Sequence, residues 1–258
     1  MMRKIALTFT VTTLVLGVFG AFFRWLQLMN AFDKETGFPI PGAGVTVVLI
    51  VYCVLAAAAI CLLTVLWLRR YESDRDAAGA LKCFNALPQV LGWALGVVFA
   101  AASCVVLFSA GQSPTPLLQR LFGAFGILGG LSIPFLFGKR DSSGAGPMGR
   151  TAAVVITLFF CFWMVFDYKS IYADPIVWNY AFEVLAIIAS GAALYFVAAF
   201  FYGVGKPTQT LIALQLGAFL CITVTFEPRS TALSVLLGIS ALLQLLLEFL
   251  LIANMRET

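Results

Sequence analysis

Three ionisable side chains lie within long apolar stretches of this 258-residue chain: Glu183, Glu248 and Arg120. A charge near the centre of a bilayer costs at least about 2.5 kcal/mol, so such residues usually face protein or a water-filled cavity. A carboxylate in that position can bind a cation or exchange a proton, and a guanidinium can bind an anion through two parallel hydrogen bonds. These three positions are therefore the leading candidates for a binding site.

Glu183 and Arg120 are predicted to lie at the same depth, near the outer surface, where Arg24 follows the first apolar stretch. One hypothesis is an outward-facing polar pocket in which Arg120 or Arg24 binds the anionic group of a small molecule. The other is a buried Glu183–Arg120 ion pair that clamps two helices, because an unpaired charge at that depth is costly. Both hypotheses remain open at the level of the sequence.

Glu248 lies toward the cytoplasmic end of the last apolar stretch, and Gln244 precedes it by one helical turn on the same face. With Gln215 from the preceding stretch, this polar stripe could relay protons or coordinate a cation. Alternatively, Glu248 hydrogen-bonds a neighbouring helix or extends toward the inner surface. In either case the stripe should face protein rather than lipid.

The chain contains no histidine, which excludes Ser-His-Asp and Cys-His nucleophile activation and HExxH zinc sites. Five of the six cysteines lie in apolar stretches, and no two of them form a CxxC pair. Such cysteines usually behave as small core residues. We therefore expect no enzyme activity, no metal site and no cofactor.

Hydrophobic residues make up 62% of the chain and charged residues only 11%. A water-soluble domain carries about 25% charged residues, so most of this surface must face lipid. The formal net charge of +4 does not indicate nucleic-acid binding, because the basic residues lie in loops rather than along one helix face. The composition predicts an integral membrane protein.

A membrane-spanning helix needs about 20 mostly apolar residues. Eight stretches qualify, and their continuous apolar runs are typical of helices rather than of barrel strands. They are Ile5–Phe23, Val45–Leu68, Val90–Ala110, Leu117–Gly138, Thr151–Phe166, Ile176–Tyr202, Thr210–Phe226 and Thr231–Ala253. We expect an all-α polytopic bundle that begins with a retained first helix rather than a cleaved signal.

The loops alternate in positive charge, and this alternation predicts the orientation. With the N-terminus inside, eleven of the sixteen basic residues are cytoplasmic and five are not, as the positive-inside rule requires. Both termini are then cytoplasmic. The five tryptophans also fall at or near span ends, where headgroups favour them: Trp25, Trp67, Trp93, Trp163 and Trp178.

Small residues in the third and fourth stretches predict close helix packing. Gly92 and Gly96 have GxxxG spacing, and Gly126 and Gly130 repeat it in the next stretch. An alternative is that Pro134 breaks the fourth helix near the midplane, where freed carbonyls could ligate a substrate.

The loops are too short for a soluble domain, so residues 1–258 form a single transmembrane domain. The halves 1–145 and 146–258 each carry four stretches and could be parallel repeats. No motif points to a particular family.

Two functions remain open. The intramembrane charges favour a small-solute transporter or membrane solute-binding component, with a small molecule or ion as its substrate. The scarcity of polar residues fits a non-catalytic scaffold, sensor or subunit of a larger membrane complex equally well. In both cases we expect a multi-pass protein of the bacterial cytoplasmic membrane that contacts lipid and no nucleic acid.

Overall fold

The computed structural model describes residues 2–33, 38–68, 71–83, 86–112, 115–137, 146–171, 180–225, 227 and 229–257. Within these ranges the chain forms α1 Met2–Asn30, α2 Gly44–Leu68, α3 Ala77–Ala80, α4 Leu87–Phe108, α5 Pro116–Ser132, α6 Pro147–Ile171, α7 Ala181–Phe201, α8 Pro207–Thr223 and α9 Thr231–Ala253. Seven of these helices are long and apolar enough to cross a membrane, and α8 is a shorter apolar helix. The prediction of an all-α polytopic membrane bundle of about eight helices is confirmed.

Proline and serine residues define several helix starts. Prolines occupy the first turn of α4, α5 and α8, where a backbone N–H would have no partner inside the helix. Ser230 caps α9 by accepting a hydrogen bond from the backbone N–H of Leu233. α1 continues past the predicted end at Phe23 to Asn30, because its last two turns carry polar side chains that find partners in the bundle.

The helices differ strongly in burial. α9 is the most buried of the seven spans, because 72% of the residues in its 18-residue apolar stretch are buried, and it packs against α1, α4 and α8. α7 packs between α6 and α8, and α5 packs against α4 and α6. α2 is the least buried span, at 17%, and its helix neighbours are α1 and α8. The most buried of the seven spans are therefore α9, α5 and α7.

Three chain segments meet at one end of the bundle, which we call the inner end. Tyr71–Glu72 forms a short antiparallel pair with Arg256–Glu257. The backbone N–H of Gly205 donates to the carbonyl of Arg75, and the side chain of Asn254 donates to backbone carbonyls of the same α2–α4 connection. The predicted topology assigns these segments to the cytoplasm. The opposite end, which holds the α1–α2 and α8–α9 connections, is the outer end.

The glycines of α4 and α5 bring the two helix backbones together. A Cβ at Gly96 would lie 2.7 Å from the carbonyl oxygen of Gly130, and a Cβ at Gly130 would lie 2.6 Å from the backbone nitrogen of Ala100. The packing role predicted for this spacing is confirmed. Pro134 lies in the 3-10 turn Ile133–Phe137 that follows the end of α5 at Ser132. The hypothesis of a helix broken near the midplane is therefore wrong.

The two halves do not have equivalent helix neighbours. α7 packs along α8, whereas α2, the equivalent of α7 in the first half, packs against α1 and α8. An internal duplication stays a prediction.

The prediction for Trp163 is wrong, because this side chain is fully buried among Phe122, Phe159 and Phe160 rather than placed at the headgroups. Trp178 lies outside the described residues.

Candidate functional site

Five ionisable side chains converge at the outer end of the bundle, and we call them the outer charge cluster. They are contributed by α1, α6, α7 and the α8–α9 connection: Arg24, Asp167, Glu183, Glu227 and Arg229. Each side chain is almost entirely buried. Charges buried to this degree need partners, because the loss of hydration costs several kcal/mol per ion.

Glu227 accepts hydrogen bonds from both arginines. The Nε of Arg24 donates to one carboxylate oxygen at 2.8 Å, and Arg229 pairs with the other oxygen. Arg229 also pairs with Glu183 in the first turn of α7. The guanidinium carbon of Arg24 lies 5.2 Å from the ring centre of Phe182, within the range of a cation–π interaction. The pairs connect α1, α7 and the α8–α9 connection.

The hydrogen bonding continues from Arg24 to α2. Arg24 donates to the side-chain oxygen of Gln27, and the amide of Gln27 donates to the hydroxyl of Thr46 at 3.1 Å. Arg24 was predicted as a binding group for an anionic substrate. Its guanidinium instead contacts Glu227 and Gln27, so in this arrangement it connects helices.

The predicted Glu183–Arg120 pair is wrong. Glu183 pairs with Arg229, while Arg120 is exposed and forms no ion pair within the described part of the chain. The reason is that Arg120 and Glu183 belong to helices in different parts of the bundle. Arg120 lies on α5, which packs against α4 and α6, whereas Arg229 directly precedes α9 beside α7 and α8. Equal depth in the membrane did not make Arg120 and Glu183 neighbours.

A second polar group, the Glu248 network, lies toward the inner end and consists of Thr13, Thr64, Gln215 and Glu248. The amide of Gln215 donates to Glu248 Oε1 at 2.9 Å, and the hydroxyl of Thr13 donates to the same oxygen at 3.3 Å. Thr64 donates to the amide oxygen of Gln215 at 2.7 Å. Glu248 is 0% exposed, and its Oε2 has no hydrogen-bond partner in the described residues. The predicted association of Gln215 with Glu248 is present.

Gln244 has a different partner from the one its spacing suggested. Its amide donates to the hydroxyl of Ser190 at 2.9 Å, and Ser190 lies 3.1 Å from the sulfur of Cys221. The amide oxygen of Gln244 packs directly onto Gly217 of α8, where a Cβ would overlap it. Gln244 therefore binds α7 and α8, one turn away from the Glu248 network.

A groove of about 660 Å³ opens between α1 and α2, and we call it the inner groove. Thr8 and Thr12 line its exposed wall. Its buried floor is formed by Thr13, Thr64 and Gln215, the same side chains that hold Glu248. Its volume lies in the usual range for small-molecule sites, which combine apolar walls with a few placed polar groups. Only this floor separates the groove from the Glu248 carboxylate.

A larger cavity of about 910 Å³ lies between α6 and α7 at the outer end, and we call it the outer cavity. Its walls are mostly apolar, from side chains such as Met164, Val184 and Leu185. Asp167, Tyr168 and Tyr180 add polar groups to the lining.

Sequence analysis did not identify Thr13, Asp167, Glu227 or Arg229 as site residues. A threonine such as Thr13 inside an apolar helix does not indicate a site, because its hydroxyl can form a hydrogen bond with the backbone of its own helix. The signal for Glu227 and Arg229 was their separation by one residue in a short connection between apolar stretches.

The Glu248 network presents a carboxylate, an amide and hydroxyls, which suits recognition of a hydrogen-bonding solute. No protein-family model, curated protein or solved structure matches this chain.

Proposed function

We propose that this membrane protein is a small-solute transporter or solute-binding component, and that the Glu248 network is its substrate site. The observation that supports the proposal is the Glu248 carboxylate, which is fully buried with one oxygen unpartnered in the described residues. A buried polar atom without a partner is costly, so such an atom indicates a missing proton, ion or donor group. The proposal includes no catalytic step.

In the proposed mechanism the inner groove admits the solute. A solute with an amine, amide or hydroxyl donor approaches the floor and replaces Thr13 or Gln215 as a donor to Glu248. The exchange needs the floor to open, and α2 is suited to move because it is the least buried span. Thr64 then separates from Gln215 when α2 moves away from α8.

We assign a structural role to the outer charge cluster in this proposal. Arg24 and Glu183 join α1, α7 and the α8–α9 connection through ion pairs. These pairs keep the outer end closed while the inner groove exchanges solute. Arg120 has no part in substrate binding.

The experiment compares substrate retention by two carboxylate variants. The full-length protein in lipid nanodiscs is incubated with a cellular metabolite extract, washed and examined by native mass spectrometry. Wild-type protein should retain a small molecule that Glu248→Gln loses. Glu183→Gln is the matched control, because it neutralises a second buried glutamate of the bundle and should retain the solute despite lower stability. Retention by Glu248→Gln at the wild-type level contradicts the assignment of the site.

Glu248→Gln should fold normally, so its loss of solute is interpretable. The glutamine oxygen can still accept the bonds from Thr13 and Gln215, while the neutral amide avoids the cost of a buried charge. A large fall in its unfolding temperature would instead indicate a structural role for Glu248.

One observation favours a scaffold or partner subunit as the second candidate function. α2 presents a strip of exposed valine and leucine side chains, including Val47, Val54, Leu55 and Leu62, and the helices it mainly packs against are α1 and α8. A partner span could pack there instead of lipid. Native mass spectra that show a bound membrane subunit and no retained solute would favour this function.

A further inference from the structure

Asp167 is the carboxylate of the outer charge cluster that the arginines leave without a direct pair in the described residues. The guanidinium of Arg24 pairs with Glu227, and that of Arg229 pairs with Glu183 and Glu227. Asp167 is only 6% exposed, yet its Oδ2 has no hydrogen-bond partner in the described part of the chain. A buried carboxyl oxygen in this state requires a proton, a hydrogen-bond donor or a positive charge.

The charges of the cluster are unequal. Among the described buried side chains at this end, two guanidinium groups face three carboxylates. If all are ionised, one negative charge is uncompensated, and Asp167 is the carboxylate with an unpartnered oxygen. A bound cation beside Asp167 would balance the cluster.

The outer cavity provides space for that cation next to Asp167. Its apolar walls suit a hydrocarbon or aromatic body, and Tyr168 and Tyr180 line the same cavity. Aromatic rings attract ammonium groups through cation–π interactions. The cavity is therefore polar where the charge is needed and apolar elsewhere.

A metal ion fits this place poorly. Among the described residues, no three carboxylates or cysteines lie close enough together to hold one. An organic ammonium group needs only one carboxylate, and its carbon skeleton can fill the rest of the cavity.

We infer that the outer cavity binds a lipophilic ammonium compound, with its ammonium group against Asp167 and its apolar part along Met164, Val184 and Leu185. This site lies at the opposite end of the bundle from the Glu248 network and goes beyond the proposed function. The compound is either a diffusible amine or the amine headgroup of a lipid, since both offer the same chemistry.

The test compares a cation with its uncharged counterpart on the whole protein. Nanodiscs of phosphatidylcholine that contain the protein are titrated with 1-naphthylmethylamine and with 1-naphthylmethanol, and binding is followed by saturation-transfer NMR against empty nanodiscs. The amine should bind at least about tenfold more tightly than the alcohol, the ratio expected from one charge-assisted hydrogen bond. Equal binding of the two compounds overturns the inference.

Three variants test whether the preference for the amine over the alcohol arises in the outer cavity. Asp167→Asn should bring the amine-to-alcohol ratio to about one, while Val184→Phe should fill the cavity and weaken both compounds together. Glu248→Gln, although expected to lose the solute of the proposed function, should keep the wild-type amine-to-alcohol ratio at the outer cavity, so failure here is distinguishable from failure of the proposed function. If Asp167→Asn does not fold, the wild-type amine-to-alcohol ratio and the weaker binding expected of Val184→Phe still test the inference.

A second nanodisc composition identifies the source of the amine. If discs containing phosphatidylethanolamine abolish binding of the amine, a lipid headgroup occupies the site. If binding persists, the ligand is a diffusible amine. An Asp167→Asn variant that keeps the preference for the amine contradicts the site, and Asp167 would then pair with Arg229, whose Nε also has no partner in the described residues.

Discussion

Glu227 accepts hydrogen bonds from Arg24 through one carboxylate oxygen and from Arg229 through the other. Because both arginines are buried, neither can recover its hydration if that carboxylate is neutralised. Breaking a buried pair by changing one partner is far more damaging than exchanging both partners for apolar residues. Among the described carboxylates, Glu227 is therefore the one that pairs with both arginines.

Glu227→Gln should destabilise the protein by about 3 to 5 kcal/mol, because it leaves the buried guanidinium of Arg24 without its carboxylate partner and leaves Arg229 with Glu183 alone. The measurement is chemical or thermal unfolding of the purified protein in one detergent. Arg120→Gln is the control, and it should change stability by less than about 0.5 kcal/mol because Arg120 is exposed. Equal losses in the two variants would contradict the pairing described here.

Three of the described buried charges were among the predicted site residues: Arg24, Glu183 and Glu248. The other three were not, and neither was the partner of Glu183. Hydropathy placed Glu183 near the end of its apolar stretch, and the structure has it in the first turn of α7. Which surface that end faces stays a prediction. Hydropathy and loop charge do not show which helices lie side by side, so Arg120 was predicted as the partner of Glu183 instead of Arg229. The Gln215–Glu248 contact was predicted because both residues are rare polar groups at similar depth on consecutive stretches.

α8 is a helix of 17 residues that packs against four others: α1, α2, α7 and α9. Gly217 lies at its midpoint and lets Gln244 of α9 approach its backbone. Gln215 faces the Glu248 network two residues earlier. α8 thus positions both polar side chains of α9, Gln244 against Gly217 and Glu248 through its hydrogen bond from Gln215.

Gly217→Ala should destabilise the protein, because the new methyl group would overlap the Gln244 amide and break its bond to Ser190. Overpacking of this kind costs about 1 to 3 kcal/mol. Gly238→Ala in α9 is the matched control, since no atom beyond the neighbouring residues and backbone of its own helix lies within 4 Å of its Cβ position. It should be neutral or stabilising by up to about 1 kcal/mol. Unfolding in detergent measures both, and a neutral Gly217→Ala would contradict the packing.

Helix existence was predictable from the sequence, whereas helix ends were less so. All eight apolar stretches correspond to helices, since continuous hydrophobicity over about 20 residues suits a helix that crosses lipid. The end of α1 was missed because hydropathy falls at Arg24, although the helix continues through hydrogen bonds to Glu227 and Thr46. A hydropathy profile cannot detect such tertiary contacts.

At the scale of the whole molecule, connections from distant parts of the chain gather at two ends. The α2–α4 and α7–α8 connections meet the C-terminal residues at the inner end, and the outer charge cluster lies at the other. This grouping agrees with the predicted sequence of crossings. Which end faces the cytoplasm is predicted from loop charge alone.

Labelling with a membrane-impermeant maleimide should establish the orientation. In a variant whose native cysteines are replaced by serine, Lys169→Cys should be labelled in intact cells, because Lys169 is exposed at the outer end. Lys206→Cys, exposed at the inner end, should be labelled only after the cells are permeabilised. The reverse pattern would contradict the predicted orientation.

Transport through the Glu248 network is the central claim, and uptake into proteoliposomes tests it most directly. The solute retained by the wild-type protein is supplied outside vesicles that contain equal amounts of wild type, Glu248→Gln or Glu183→Gln. Wild type and folded Glu183→Gln should take up the solute, and Glu248→Gln should match protein-free vesicles. Uptake by Glu248→Gln at the wild-type rate would contradict the account.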